Sequence, residues 1–198
     1  VVHRARNATT LSWLVSGSHS GEELSYEFGS ASGLALSNCD FTGDGNVDLA
    51  VASVIDNQLK IEYRTLTDAT TFAIANLFDD TVNPSSVLAT CGDFDPQRKG
   101  DEVAIVAKEA TREGTRIFVK PVAYLMSNNG ERLARAVLNS YGEPLVLSAR
   151  AGKGIELGIA SMTADGGSID VQRLGGKALD VVSAEQYTLP TAIHSVTL

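Results

Sequence analysis

Three segments of the chain resemble one another. LALSNCDFTGDGNVDLAVAS (34–53) aligns with VLATCGDFDPQRKGDEVAIVA (87–107), and more loosely with LVLSARAGKGIELGIAS (145–161). Each repeat contains an apolar segment, a polar loop that ends in an acidic residue, and a second apolar segment. The acidic residues are Asp48, Asp101 and Glu156. Repeats of about 50 residues predict an array of similar supersecondary units.

Apolar and polar residues alternate along most of the chain, and β-branched and aromatic residues are concentrated in the apolar segments. This period of two is typical of half-buried β-strands. It predicts an all-β chain of about fifteen short strands. The segment GERLARAVLNSYG (130–142) is the one for which a helix competes, and it is too short to change the prediction.

Each repeat has room for a strand, an acidic loop, a second strand, a hairpin and two further strands, which is a four-stranded antiparallel meander. Meanders of this length that stack radially form the blades of a β-propeller. The predicted fold is therefore all-β, a single β-propeller domain over 1–198 with about four four-stranded blades. The predicted blades are 34–85, 86–144 and 145–190, together with one formed by 191–198 and 1–33.

The sequences at the two ends of the chain suggest how the predicted ring of blades would close. VVHRARNATTLSWLVSG (1–17) aligns with LAVASVIDNQLKIEYRT (49–65), so the chain is expected to begin in the second strand of a blade. TAIHSVTL (191–198) resembles a first strand, and pairing of the terminal strands would complete the fourth blade and remove an exposed edge. The alternative is a piece of a larger ring.

The loop DFTGDGNVD (40–48) is crowded with oxygen-bearing side chains. Its alternate residues are Asp40, Thr42, Asp44, Asn46 and Asp48, and the two glycines between them permit a tight wrap. Three carboxylates this close repel one another unless a cation is present. Calcium takes about six to eight oxygen ligands in irregular geometry. The loop therefore predicts a calcium site, with carboxylates from the three aspartates, the Asn46 backbone carbonyl, and the Thr42 hydroxyl or a bridging water. A solvated acidic turn is the alternative.

An EF-hand is excluded although its loop begins in the same way. The twelfth position of an EF-hand loop is a glutamate, followed by a helix. Here that position is Val51, and DLAVASV (48–54) has the pattern of a strand.

CDFTGDGNVDLAVAS (39–53) resembles the calcium loop of FG-GAP and VCBS-type β-propeller repeats, the blades also found in integrin α-subunits. The likeness covers nearly the whole chain as repeats, but only this loop carries the complete motif. In that family the loop joins the first and second strands of a blade. The resemblance implies calcium ligands at Asp40, Thr42, Asp44, Asn46 and Asp48.

The two other loops depart from this motif. DFDPQRKGD (93–101) keeps Asp93, Asp95 and Asp101, but glutamine replaces the third acid and lysine stands at the carbonyl position, so a weaker second calcium site is predicted there. In SARAGKGIE (148–156) only Glu156 is acidic, and Arg150 or Lys153 offers an internal positive charge, so no metal is expected.

The chain has only two cysteines, Cys39 and Cys91, and their spacing is not that of a zinc or redox motif. We expect two small buried apolar residues, with a disulfide between them as the alternative.

Composition limits the partners. The net charge of −8 and the sequence pI of about 4.8 argue against nucleic acid. The sequence contains no apolar segment of membrane-spanning length, so membrane insertion is not expected. The acidic composition and the calcium loop suggest an extracellular or cell-surface location.

Catalysis is not predicted, because His3, His19 and His194 lie in no motif, and Asp79 and Asp80 are expected in a turn between blades. The predicted function is non-catalytic interaction, adhesion or surface assembly through a protein partner at one propeller face. A carbohydrate-binding propeller, alone or attached to a polysaccharide-active enzyme, is the alternative, although aromatic residues make up only 6% of the chain. The tripeptide Lys-Gly-Asp (99–101) resembles integrin ligands, but Asp101 ends a blade loop and is expected to turn inward.

Overall fold

The computed structural model describes residues 10–16, 23–30, 33–55, 58–64, 69–74, 87–113, 115–140, 142–150, 156–163 and 165–189. Within these ranges all regular secondary structure is β-strand, so the all-β prediction is confirmed. Arg132–Val137, in the segment for which a helix competes, is also a strand. The predicted first strand at 191–198 and the start of the chain at 1–9 lie outside the described residues.

Fourteen strands follow one another along the described chain. They are β1 (Thr10–Ser16), β2 (Glu23–Ser30), β3 (Leu34–Cys39), β4 (Asp48–Ile55), β5 (Gln58–Arg64), β6 (Ala69–Ile74), β7 (Leu88–Gly92), β8 (Glu102–Glu113), β9 (Arg116–Met126), β10 (Arg132–Val137), β11 (Pro144–Arg150), β12 (Glu156–Met162), β13 (Ser168–Gly175) and β14 (Asp180–Thr188).

Twelve of these strands form three antiparallel sheets of four, each with its strands in chain order: β3 to β6, β7 to β10, and β11 to β14. We call them the first, second and third meanders. The strands β1 and β2 form a separate antiparallel pair. The repeated unit is therefore a four-stranded meander, as the sequence predicts.

The meanders stack face to face, and their first strands are neighbours: β7 contacts both β3 and β11. Side chains on a strand point alternately to its two faces. Along β8, Val103 and Ile105 pack into a core shared with the first meander, whereas Ala104 and Val106 pack into a core shared with the third. The second meander is thus buried on both faces, which explains why EVAIVA is apolar at nearly every position.

The second strands of the three meanders begin at acidic residues with even spacing. These residues are Asp48, Glu102 and Glu156, at intervals of 54 residues (48 to 102 and 102 to 156). Each is paired with the end of the preceding strand, at Cys39, Gly92 and Arg150. The alignment of Asp101 with Asp48 is therefore wrong by one residue. The loop that leads into β8 (93–102, the second loop) is one residue longer than the loop that leads into β4 (40–48, the first loop). Glu102 is the structural equivalent of Asp48.

The second meander also contains a ribbon that extends beyond its sheet. β7 pairs with β8 only over Glu102–Val106, and β10 pairs with β9 only over Val122–Met126. The pairing of β8 with β9 continues to Glu113 and Arg116. At the base of this ribbon Arg135 of β10 binds Glu109 of β8, with Nη2 2.9 Å from Oε1, and Glu109 also accepts a hydrogen bond from the Tyr124 hydroxyl.

Candidate metal centre at the junction of two meanders

The loop 40–48 is wrapped around the carboxylate of Asp40. Its Oδ1 accepts hydrogen bonds from the backbone nitrogen of Asp44 at 3.1 Å and from the Thr42 hydroxyl at 3.3 Å. Its Oδ2 accepts one from the backbone nitrogen of Gly45 at 2.8 Å. Two glycines with positive φ, Gly43 at 64° and Gly45 at 85°, make this wrap possible.

The other predicted ligands lie in the same wrap. Asp48 accepts a hydrogen bond from the backbone nitrogen of Thr42 at 3.2 Å, and Asp44 accepts one from the backbone nitrogen of Asn46 at 2.8 Å. Asp48 is 3% exposed, whereas residues 44–47 are exposed, including Val47 at 64%. The structure therefore gathers all five predicted residues in one loop that is closed at its base and open at its tip.

Electrostatics differ between the carboxylates of this loop. Burial raises the pKa of Asp48, and the negative charges of Asp40 and Asp44 raise it further, although backbone hydrogen bonds oppose the shift. The pKa of Asp44 is lowered, mainly by its hydrogen bond from the Asn46 backbone. Ionised Asp48 is therefore less stable here than an ionised aspartate in water, and a bound cation would offset that cost.

No basic side chain forms an ion pair with Asp40, Asp44 or Asp48 in the part of the chain that the structure describes. The positive charge of Lys99 makes only the smallest contribution to the lowered pKa of Asp44. Across the described residues no three His, Cys, Asp or Glu side chains converge as a metal-holding group. The loop nevertheless contains oxygen donors and carboxylates without an ion-paired base among the described residues, and oxygen donors are the ligands that a hard cation prefers.

The cysteines lie directly beneath this loop. Cys39 ends β3 and Cys91 lies in β7, and the two form a disulfide with their α-carbons 5.5 Å apart. The expectation of two unlinked apolar residues is therefore wrong, and the disulfide alternative is what the structure contains. The bond joins the first meander covalently to the second.

Asp101, predicted as a ligand of the second loop, is bonded to the first loop instead. Its Oδ2 accepts a hydrogen bond from the backbone nitrogen of Asp40 at 2.7 Å, and its own backbone nitrogen donates to the Asp40 carbonyl at 2.8 Å. Asp101 is only 9% exposed. It is turned inward, as expected from its position at the end of a loop.

Two basic side chains lie at the Asp95 carboxylate of the second loop. Lys177, in the turn between β13 and β14, places Nζ 3.0 Å from Asp95 Oδ1 and 3.2 Å from Gln97 Oε1. Arg98 lies 3.7 Å from the other Asp95 oxygen. The hydrogen bond from Lys177 is the main reason that the pKa of Asp95 is lowered. An ammonium group from the third meander therefore lies at the carboxylate of the predicted weaker site.

Glu102 was not singled out from the sequence, yet it organises the second loop. It is 1% exposed, and its Oε2 accepts hydrogen bonds from the backbone nitrogens of Phe94 and Asp95, both at 2.9 Å. Asp48 makes the equivalent bond to Thr42 in the first loop. Asp93 is exposed and contributes to the raised pKa of Glu102, for which burial is the main cause.

The other residues singled out from the sequence lie in the third meander or outside the described ranges. In the third meander Arg150 pairs with Glu156 in the β11–β12 register, and Lys153 lies outside the described residues. His3, His19, His194, Asp79 and Asp80 also lie outside them.

Comparisons with known proteins add no identification. The chain matches no protein-family model, no curated protein and no solved structure. The described part of the chain contains no helix that is long and apolar enough to cross a membrane.

Proposed function

We propose that the chain is a calcium-stabilised, non-catalytic interaction domain of the β-propeller class, acting outside the cell or at its surface. The observation that carries this proposal is the contrast between two equivalent loops. Asp95 in the second loop is bound by Lys177, whereas the carboxylates of the first loop have no ion-paired base among the described residues. Among the described residues, the protein supplies a cationic side chain to the second loop and none that is ion-paired in the first.

Asp40, Asp44 and Asp48 would supply carboxylate oxygens, Asn46 its backbone carbonyl, and Thr42 its hydroxyl or a bridging water. Each carboxylate has lone pairs beyond those that accept the backbone hydrogen bonds. When bound, calcium supplies the positive charge that neutralises the buried Asp48 and fixes the turn between β3 and β4. At ~1 mM calcium and a Kd of ~0.1 mM, mass action gives roughly 1.4 kcal/mol of stability.

The propeller assignment rests on the stacking of the meanders. Their first strands are neighbours in the order β3, β7, β11, as in blades arranged around an axis. The disulfide suits an oxidising compartment. The exposed tip 44–47, with Val47 at 64% exposure, is the proposed contact for a protein partner.

Thermal unfolding in calcium, magnesium or chelator tests the calcium site. Calcium at ~1 mM should raise the Tm by about 3–6 °C over chelator, with a smaller rise in magnesium. Asp44→Asn should remove most of this shift. Asp165→Asn makes the same charge change in the exposed turn of the third meander and should keep it. No shift at ~10 mM calcium, about a hundred times the expected Kd, would refute the site.

A glycan array in calcium-containing buffer tests the interaction class. We expect no specific sugar ligand, because the described structure provides no aromatic platform at the loop tip. A carbohydrate bound at millimolar affinity or tighter would instead support the carbohydrate-binding alternative.

A further inference from the structure

The first loop makes contacts outside its own meander. Asp40 has both backbone groups bonded to Asp101: its nitrogen donates to the Asp101 carboxylate at 2.7 Å, and its carbonyl accepts from the Asp101 nitrogen at 2.8 Å. These two bonds fix the backbone of the residue whose carboxylate forms the centre of the loop. Both bonds are made by Asp101, which belongs to the second meander.

A second connection comes from the turn between β9 and β10. Asn128 Nδ2 donates to the carbonyl of Phe41 in the first loop and to the carbonyl of Lys99 in the second, each at 2.9 Å. The turn that carries it is closed by the bond from Ser127 N to the Glu131 carbonyl at 2.8 Å. One amide group thus bridges both loops from a fixed position.

The two loops also pack backbone against backbone. A β-carbon on Gly43 would lie 2.7 Å from the nitrogen of Gly100, and one on Gly100 would lie 2.8 Å from Asn128 Nδ2. Both glycines have positive φ. Contacts this close leave the first loop little freedom to change shape independently of the second.

We propose that Asp101 and Asn128 are positioning residues for the calcium loop of the neighbouring meander. They hold the loop backbone in the shape that gathers its carboxylates, so calcium affinity depends on the contact between the first two meanders. Because such coupling is reciprocal, calcium strengthens that contact in turn. This inference rests on the proposed calcium site but assigns it to two units instead of one.

Calcium titration by calorimetry at neutral pH tests the coupling. Asn128→Ala removes the bridging amide and should weaken calcium binding about fivefold or more. Asn139→Ala, at an exposed asparagine of the same meander, should stay within about twofold of wild type. Asn128→Asp provides a second variant close in shape to the native residue. It should also weaken binding, although its added negative charge alone would favour a cation.

Amide hydrogen exchange in chelator separates this inference from the calcium proposal. The backbone nitrogens of Asp44 and Gly45 donate hydrogen bonds to the Asp40 carboxylate. Removal of the Asn128 amide should speed hydrogen exchange at these two nitrogens. Asn139→Ala should leave their exchange unchanged. If wild type binds calcium and both Asn128 variants match it in affinity and exchange, the positioning role is wrong while the calcium site stands. If wild type binds no calcium, the calcium proposal and the coupling fail together, and exchange alone decides whether Asn128 holds the loop.

Discussion

The α-carbon of Gly100 lies so close to the carbonyl of Phe41 that a β-carbon there would be 2.2 Å from the carbonyl oxygen. Gly100 also has a φ of 82°, which side-chain-bearing residues rarely adopt. The two meanders can meet at this point only because the residue is glycine.

Gly100→Ala should therefore destabilise the protein by about 3 kcal/mol or more, through backbone strain and the clash with Phe41. Gly176→Ala is a matched control, since Gly176 has a φ of 72° but no atom within 4 Å of its added β-carbon. It should cost only about 1 kcal/mol. Urea unfolding of the two variants measures the difference, and equal losses would show that the close approach to Phe41 carries no energy.

The disulfide should contribute about 2–5 kcal/mol to stability. It closes a long loop, with a sequence separation of 52, and chain entropy alone predicts about 4 kcal/mol. The double variant Cys39→Ala, Cys91→Ala should unfold at lower urea, and reduced wild-type protein should resemble it. A thiol assay on the denatured protein provides the control, because it should detect no free thiol before reduction. A double variant as stable as oxidised wild type would contradict the prediction.

Stability in metal-free buffer should rise as the pH falls from neutrality toward 4.5, the ordinary value of a glutamate carboxyl. Burial raises the pKa of Asp48, Asp101 and Glu102, so the folded protein binds protons more readily than the unfolded chain. The gain begins as the pH falls through the raised folded values and is complete below the ordinary values of 3.8 for Asp and 4.5 for Glu. Calcium should oppose this gain, because protons and calcium compete for Asp48.

Urea midpoints at neutral pH and at pH 4.5 measure the effect. Asp48→Asn should reduce the gain, because one of the three buried carboxyl groups no longer titrates. Asp165→Asn reduces the net negative charge by the same amount, but it removes a carboxyl whose pKa is lowered by its hydrogen bond from Thr163, so it should retain the gain. Equal behaviour of the two variants would mean that relief of general charge repulsion explains the pH dependence.

The alternation of apolar residues was sufficient to predict the strands, and the repeat spacing predicted that β3 to β14 group in fours. Alternation of side chains is a local property, so the pattern QLKIEYR of β5 identifies a strand without knowledge of its neighbours. The crowded oxygens of 40–48 similarly predict a wrapped loop, because the glycines that permit positive φ lie within the same nine residues.

The errors arise where spatial neighbours are distant in sequence. Asp101 looks like the last acid of its own loop, but one extra residue there shifts that role to Glu102 and leaves Asp101 bonded to Asp40. Lys177 lies 82 residues from Asp95, and no local pattern connects them. The two cysteines likewise come together only because β3 and β7 are neighbours in the stack.

The long ribbon of β8 and β9 gives the molecule a natural attachment point. Its last pair, Glu113 with Arg116, lies seven residues beyond Val106 (106 to 113), where the pairing of β8 with β7 ends. Its base is fixed by Glu109 to Arg135. A fluorophore or a guest peptide attached at Arg116, which is exposed, would lie outside the part of the ribbon that pairs with β7 and β10, away from the stacked cores.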